Sequence, residues 1–115
     1  MSERAIRSEQ RRHPRAPVGR PIRYRHRGLT RAAVVAELSE GGAGLRSEGP
    51  PVPGEQVRLF LPLDEWGGSR GGCEVDGEVV RTADGEVGVA FNPRLLPRHM
   101  LLLRDFVWRA SLSQP

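Results

Sequence analysis

Residues 73–91, CEVDGEVVRTADGEVGVAF, read as two strands and the turn between them. Cys73–Arg81 and Glu86–Phe91 flank Asp84-Gly85 at the spacing of a two-residue hairpin turn, so the two runs are expected to pair antiparallel. The same grammar extends towards the N-terminus. Gln56–Leu63 alternates Val57, Leu59, Leu61 and Leu63 onto one face, and the glycine-rich GGSRGG at 67–72 reads as a hairpin tip. Pro50, Pro51, Pro53 and Gly54 form a connection. Upstream of it, Ala43–Arg46 reads as a short strand and Arg31–Leu38 as another, carried by Val34 and Val35. From Arg20 the period is two: Ile22, Tyr24 and His26 share one face, Arg23, Arg25 and Arg27 the other, until Gly28 interrupts the run.

The C-terminal end changes period. Pro97 suits the first turn of a helix, and Met100, Leu101, Leu103, Arg104, Val107 and Trp108 fall at helical spacing, with Leu96 and Phe106 beside them. Six short strands and one terminal helix predict an all-β fold: a small six-stranded antiparallel β-barrel with a C-terminal α-helix packed on an open end or face. Residues 1–17 lack apolar periodicity and contain two prolines, so they read as a mobile or ligand-ordered arm, with the barrel domain spanning residues 18–112.

With 115 residues the chain has room for one domain. No run approaches the ~18 apolar residues of a membrane helix, and residues 1–10 lack the apolar run of a secretory signal. Cys73 is the only cysteine, which excludes an intrachain disulfide and a cysteine-based zinc cage. These features predict a cytoplasmic protein without membrane insertion. All 18 basic residues are arginine, and ten of them lie in residues 1–31 against Glu3 and Glu9, a local balance of +8. The remaining residues carry eight arginines against twelve acids, a balance of −4. Arginine's planar fork grips phosphate and stacks on rings, so an arginine-rich arm points to an anionic, aromatic partner.

Catalysis has little support. His13, His26 and His99 fall on the arm, a strand and the helix start without metal-ligand spacing, and Ser39 does not sit in a G-x-S-x-G elbow. Cys73 reads as a packing residue. The protein is expected to be neither an enzyme nor a metal binder.

Two stretches carry the binding chemistry. Arg11-Arg12-His13-Pro14-Arg15 spaces two arginines as R-x-x-x-R, and Pro14 holds the segment extended. Such a pair can clamp a phosphate and the O6/N7 edge of guanine, although a solvated basic tail has the same composition. Glu37-Leu38-Ser39-Glu40-Gly41-Gly42-Ala43-Gly44-Leu45 places a carboxylate and a hydroxyl two residues apart at a strand end, followed by glycines that admit a flat ligand. Taken alone, it reads first as an ordinary glycine-rich bulge or turn.

In this order the two stretches resemble the PilZ domain family, receptors of the second messenger cyclic di-GMP, whose pattern is R-x-x-x-R followed by (D/N)-x-S-x-x-G at an early strand end. Arg11 and Arg15 match the first motif, and Ser39 and Gly42 the second, with Glu37 where the family has Asp or Asn. Gly42–Leu45, Pro53–Val57, Gly77–Arg81 and Val87–Phe91 follow in the family's usual order. The resemblance implies a fold and a ligand. Arg11 and Arg15 would meet guanine edges and the cyclic phosphodiester, and Arg12 a phosphate. Glu37 and Ser39 would meet the other guanine or its ribose, and Gly42 would keep the floor clear. Arg81 would add a basic contact, or else pair with Asp84 on the surface. Glu37 retains the charge but carries one more methylene, so its oxygens lie farther from the strand. The expected function is a cyclic di-GMP-binding effector whose arm orders on the ligand and presents a new surface to a protein target in motility, secretion or regulation. The alternative is a ligand-independent interaction adaptor. Nucleic acid is disfavoured by the acidic body and by Tyr24 being the lone strand-borne candidate for stacking.

Overall fold

The computed structural model describes residues 15–66, 72–92 and 97–112. Six strands, β1 (Ala16–His26), β2 (Leu29–Leu38), β3 (Gly42–Arg46), β4 (Gln56–Leu61), β5 (Cys73–Ala83) and β6 (Glu86–Phe91), precede a helix, α1 (Pro97–Leu112). All pairings are antiparallel, and the strands close into a barrel in the order β1-β2-β3-β6-β5-β4. Closure removes the free sheet edges that so small a protein would otherwise expose.

The alternation expected from the sequence sets the inside of the barrel. Ile22, Tyr24, Val57, Leu59, Leu61 and Leu63 are all buried, although β4 itself ends at Leu61. β1 begins at Ala16, so pairing reaches beyond the alternating run that starts at Arg20. Gly28 does more than interrupt a strand: Arg27 and Gly28 both adopt positive φ (53° and 77°) and join β1 to β2 as a tight two-residue turn, as Asp84 and Gly85 (52° and 80°) join β5 to β6. Residues 67–71, most of the glycine-rich tip between β4 and β5, lie outside the described residues.

α1 starts at Pro97, as the sequence predicts, but its apolar stripe is narrower than expected. Leu103, Phe106 and Val107 enter the core, whereas Leu101 and Trp108 are exposed at 64% and 60%. The helix packs on β1 and β5, and Trp66 meets Phe106 with ring centroids 5.6 Å apart. Leu96 and the Met100 side chain lie outside the described residues. Among the described residues no helix is long and apolar enough to cross a membrane.

At the β1–β2 turn end, the barrel is closed by a polar network. The Tyr24 hydroxyl, fully buried, lies 2.7 Å from Ser47 Oγ, and Arg31 sits over the Tyr24 ring at 5.7 Å. Arg31 also donates to the carbonyls of Glu48 and Gly49. His26 lies between Arg31, 3.4 Å from Nδ1, and Glu55, 3.1 Å from Nε2. The backbone N–H of Val52, then the His26 ring and Arg27, hold the Glu55 carboxyl well below the usual range, at about 2. Tyr24 is thus a core residue with its hydroxyl engaged, and it offers no surface for stacking a base.

Candidate ligand-binding site

The opposite end of β1 brings Arg15, the last residue of the first motif, to the start of the second. Ala16 pairs with Leu38 and Pro17 with Glu37, so the chain leaving Arg15 runs beside the end of β2. Arg15 Nη1 donates to Glu37 Oε1 at 3.3 Å, both side chains being about half exposed. This contact was not foreseen from the sequence. Arg11 and Arg12 lie outside the described residues.

Cross-strand register then defines a row on the outer surface: Pro17 opposite Glu37, Glu37 opposite Gly44, Gly44 opposite Gly88, and Gly88 opposite Arg81. Their chain neighbours Leu38, Ala43, Leu45, Val87 and Val89 point into the core, so the row faces outward. A pairing shift borders three members of the row: one follows Pro17, before Arg20, and the others precede Glu37, after Val35, and Arg81, after Val79. Bulges of this kind re-aim side chains, here at Glu37 and Arg81.

Between the backbones of these two charged residues lie two glycines on adjacent strands, Gly44 beneath the Glu37 side chain and Gly88 beneath that of Arg81. A Cβ on Gly44 would come 3.1 Å from Glu37 Cγ, and one on Gly88 would come 2.8 Å from Arg81 Cγ. The glycines thus let a carboxylate and a guanidinium lie low over the sheet from either side. With those two side chains drawn aside, the glycine pair would leave room for a flat ring whose donors meet Glu37 and whose acceptors meet Arg81, the edge chemistry of guanine. Arg81 makes no ion pair among the described residues, so the expected alternative of a pair with Asp84 is not formed.

The other two matched positions work within the β2–β3 turn. Ser39 N and Oγ both reach the Gly42 carbonyl, at 2.9 and 3.3 Å, and Ser39 Oγ accepts from Gly41 N at 3.3 Å. Gly42 is required by packing, because a Cβ there would lie 2.2 Å from the Val89 carbonyl oxygen. Phe91 N donates to the Gly41 carbonyl, and Glu40 pairs with Arg104 of α1 at 2.8 Å. The turn is therefore fixed to β6 and to the helix before any ligand arrives.

Gly44 belongs to the glycines that the sequence assigns to close approach by a flat ligand, whereas Gly88 stands in it only as part of the Val87–Phe91 strand. Their signal was present: a glycine at an outward position between inward-facing Ala43 and Leu45, or Val87 and Val89, marks close approach at a sheet surface. Away from the site, Cys73 is buried and burial pushes its thiol up to about 11, in keeping with a packing role. No group of three or more His, Cys, Asp or Glu among the described residues is placed to hold a metal ion.

The comparisons agree with this architecture. The PilZ domain of CeSA from a cellulose-synthesizing bacterium superposes with a TM-score of 0.62 at 17% identity, over 86% of this chain and 95% of that one. The Borreliella burgdorferi PlzA protein, solved in complex with c-di-GMP, superposes with a TM-score of 0.62 at 13% identity, over 90% of this chain and 45% of PlzA. At these identities the likeness is one of fold. No curated protein sequence matches the chain. The family model of the PilZ domain matches residues 9–108, nearly the whole sequence, and the chain belongs to the PilZ domain family.

Proposed function

We propose that this PilZ domain binds cyclic di-GMP on the outer surface of β2, β3, β6 and β5. The observation that carries the reading is the row Glu37–Gly44–Gly88–Arg81, with Arg15 placed beside Glu37. One guanine lies on the glycine strip, its N1–H and N2–H donating to Glu37 and its O6 and N7 accepting from Arg81 or Arg15. Arg11, Arg12 and Arg15 grip the cyclic phosphodiester. Ser39 and Gly42 hold the turn that sets the rim. Arg15 is already engaged by Glu37, so the ligand phosphate has to take the guanidinium over from a carboxylate. Ordering of the arm that precedes β1 on the ligand then transmits binding, and the changed surface recruits a protein target in the cytoplasm.

Isothermal titration with cyclic di-GMP, cyclic di-AMP, GTP and a short oligonucleotide tests the proposal. Binding of cyclic di-GMP alone is expected, and silence towards all four ligands overturns it. On binding, amide exchange should slow across residues 11–18 and stay unchanged in β4. Equal protection with and without ligand removes arm ordering from the mechanism.

One observation favours the alternative of a ligand-independent adaptor. Glu37 departs from the family's Asp or Asn, and its carboxylate reaches Arg15 instead of standing free over the strip. The same titration separates the two readings.

A further inference from the structure

We propose that the outer face of β1, β4 and β5 pairs with the same face of a second copy of this chain, about a two-fold axis parallel to β4. β4 stands diametrically across the barrel from β3, so the centre of this face lies opposite the centre of the candidate ligand site, although both surfaces draw on β1 and β5.

Register writes the complementarity into two rows. Arg23 is opposite Phe60 and Phe60 opposite Glu74; Arg25 is opposite Arg58 and Arg58 opposite Asp76. Each row runs from a basic residue on β1 to an acidic residue on β5, and the half-buried Phe60 sits between the signs. Arg23, Arg25 and Glu74 have no ion-pair partner among the described residues. Arg25 even faces the like charge of Arg58, an unfavourable pairing that Asp76 relieves only for Arg58, 2.7 Å away. Among the described residues of one copy, Arg23 and Arg25 are thus left without an acidic partner, and Glu74 feels Arg58 only at longer range.

Rotation about an axis along β4 lays β1 of one copy over β5 of the other and keeps the rows in step. Arg23 then meets Glu74 and Arg25 meets Asp76, each pairing occurring twice, while Phe60 and Arg58, on the axis, each meet their own symmetry mate once, with Asp76 beside both copies of Arg58. A two-fold across the strands would instead lay β1 on β1 and set Arg23 and Arg25 against arginines. The face is convex, so the copies touch first at Phe60 and only side chains as long as Arg and Glu bridge the flanks. The contact is small and electrostatic, which makes the dimer weak and sensitive to salt.

Sedimentation velocity on the full chain, at protein concentrations up to roughly millimolar and at low and high salt, tests the proposal. Wild type is expected to form dimers at low salt that dissociate at high salt. Arg23→Glu and Glu74→Arg, both at exposed positions, should each weaken self-association by about tenfold or more while leaving the circular-dichroism melt unchanged. Mixed in equal amounts, the two variants should recover wild-type association, because each supplies the sign the other lacks. The double variant carrying both reversals should also dimerise. A wild-type chain that stays monomeric, or variants that associate like wild type, or a mixture that fails to recover, overturns the proposal.

Discussion

Glu37 is both an acceptor facing the glycine strip and the partner that holds Arg15. Shortening it to aspartate draws the carboxylate back towards the strand and reduces the rotamer entropy lost when it is fixed, by a few tenths to ~1 kcal/mol. Calorimetry should therefore find Glu37→Asp binding cyclic di-GMP at least as tightly as wild type, and Glu37→Ala more weakly. Three equal affinities would take Glu37 out of the site. Arg15→Ala removes charge-assisted hydrogen bonds of ~1.5–3 kcal/mol, about ten- to a hundredfold in affinity, without unfolding a barrel to whose core Arg15 contributes nothing. The glycines separate folding from binding. Gly42→Ala drives a Cβ against backbone and should lower the melting temperature, whereas Gly88→Ala meets the Arg81 side chain and should chiefly weaken binding. Glu55 should contribute to acid stability. Its folded-state pKa of about 2 lies below the ordinary 4.5, so its stabilisation is complete above about pH 4.5 and is lost as the pH falls towards 2. Glu55→Gln should flatten the dependence of Tm on pH across that window, and an unchanged slope would contradict the assignment.

At the level of elements, α1 acts both as a core component and as a clamp. Leu103, Phe106 and Val107 seal the barrel, and Arg104 reaches back to Glu40 in the turn carrying Ser39 and Gly42. Leu103→Ala opens a cavity in a fully buried position and should cost ~2–5 kcal/mol in urea denaturation, while Trp108→Ala, on the exposed side, should stay within ~0.5 kcal/mol. Comparable losses at both positions would return Trp108 to the buried stripe that helical spacing suggests. The spacing misleads for a physical reason. A helix lying on a strongly curved barrel buries only a narrow strip, so residues at the margins of a wide apolar arc remain in water.

Across the whole molecule, closure couples every strand to both of its neighbours, and Cys73 reports on that cooperativity. Its thiol is buried and pushed up to about 11, so alkylation requires opening of β5 from β4. Opening one strand of a closed six-strand barrel exposes the core. The labelling rate under native conditions should consequently give the same free energy as urea unfolding. Markedly faster labelling would reveal a local opening at the start of β5.

The strands, the Asp84-Gly85 turn and the Pro97 helix start were legible in the sequence because each rests on local chemistry: period-two burial, a residue pair that tolerates positive φ, and a ring that suits a first helical turn. Arg15, Glu37, Ser39, Gly42 and Arg81 were legible as candidates by residue type and order. Their arrangement was not. Which residues lie side by side depends on strand register, and three bulges reset that register without any local signature strong enough to place them. Only the closed barrel put Gly44 against Gly88, brought Arg15 to Glu37, and set the unmatched arginines of β1 two strands from the acids of β5, because those neighbours are distant in the chain and meet through backbone hydrogen bonds that any side chain permits.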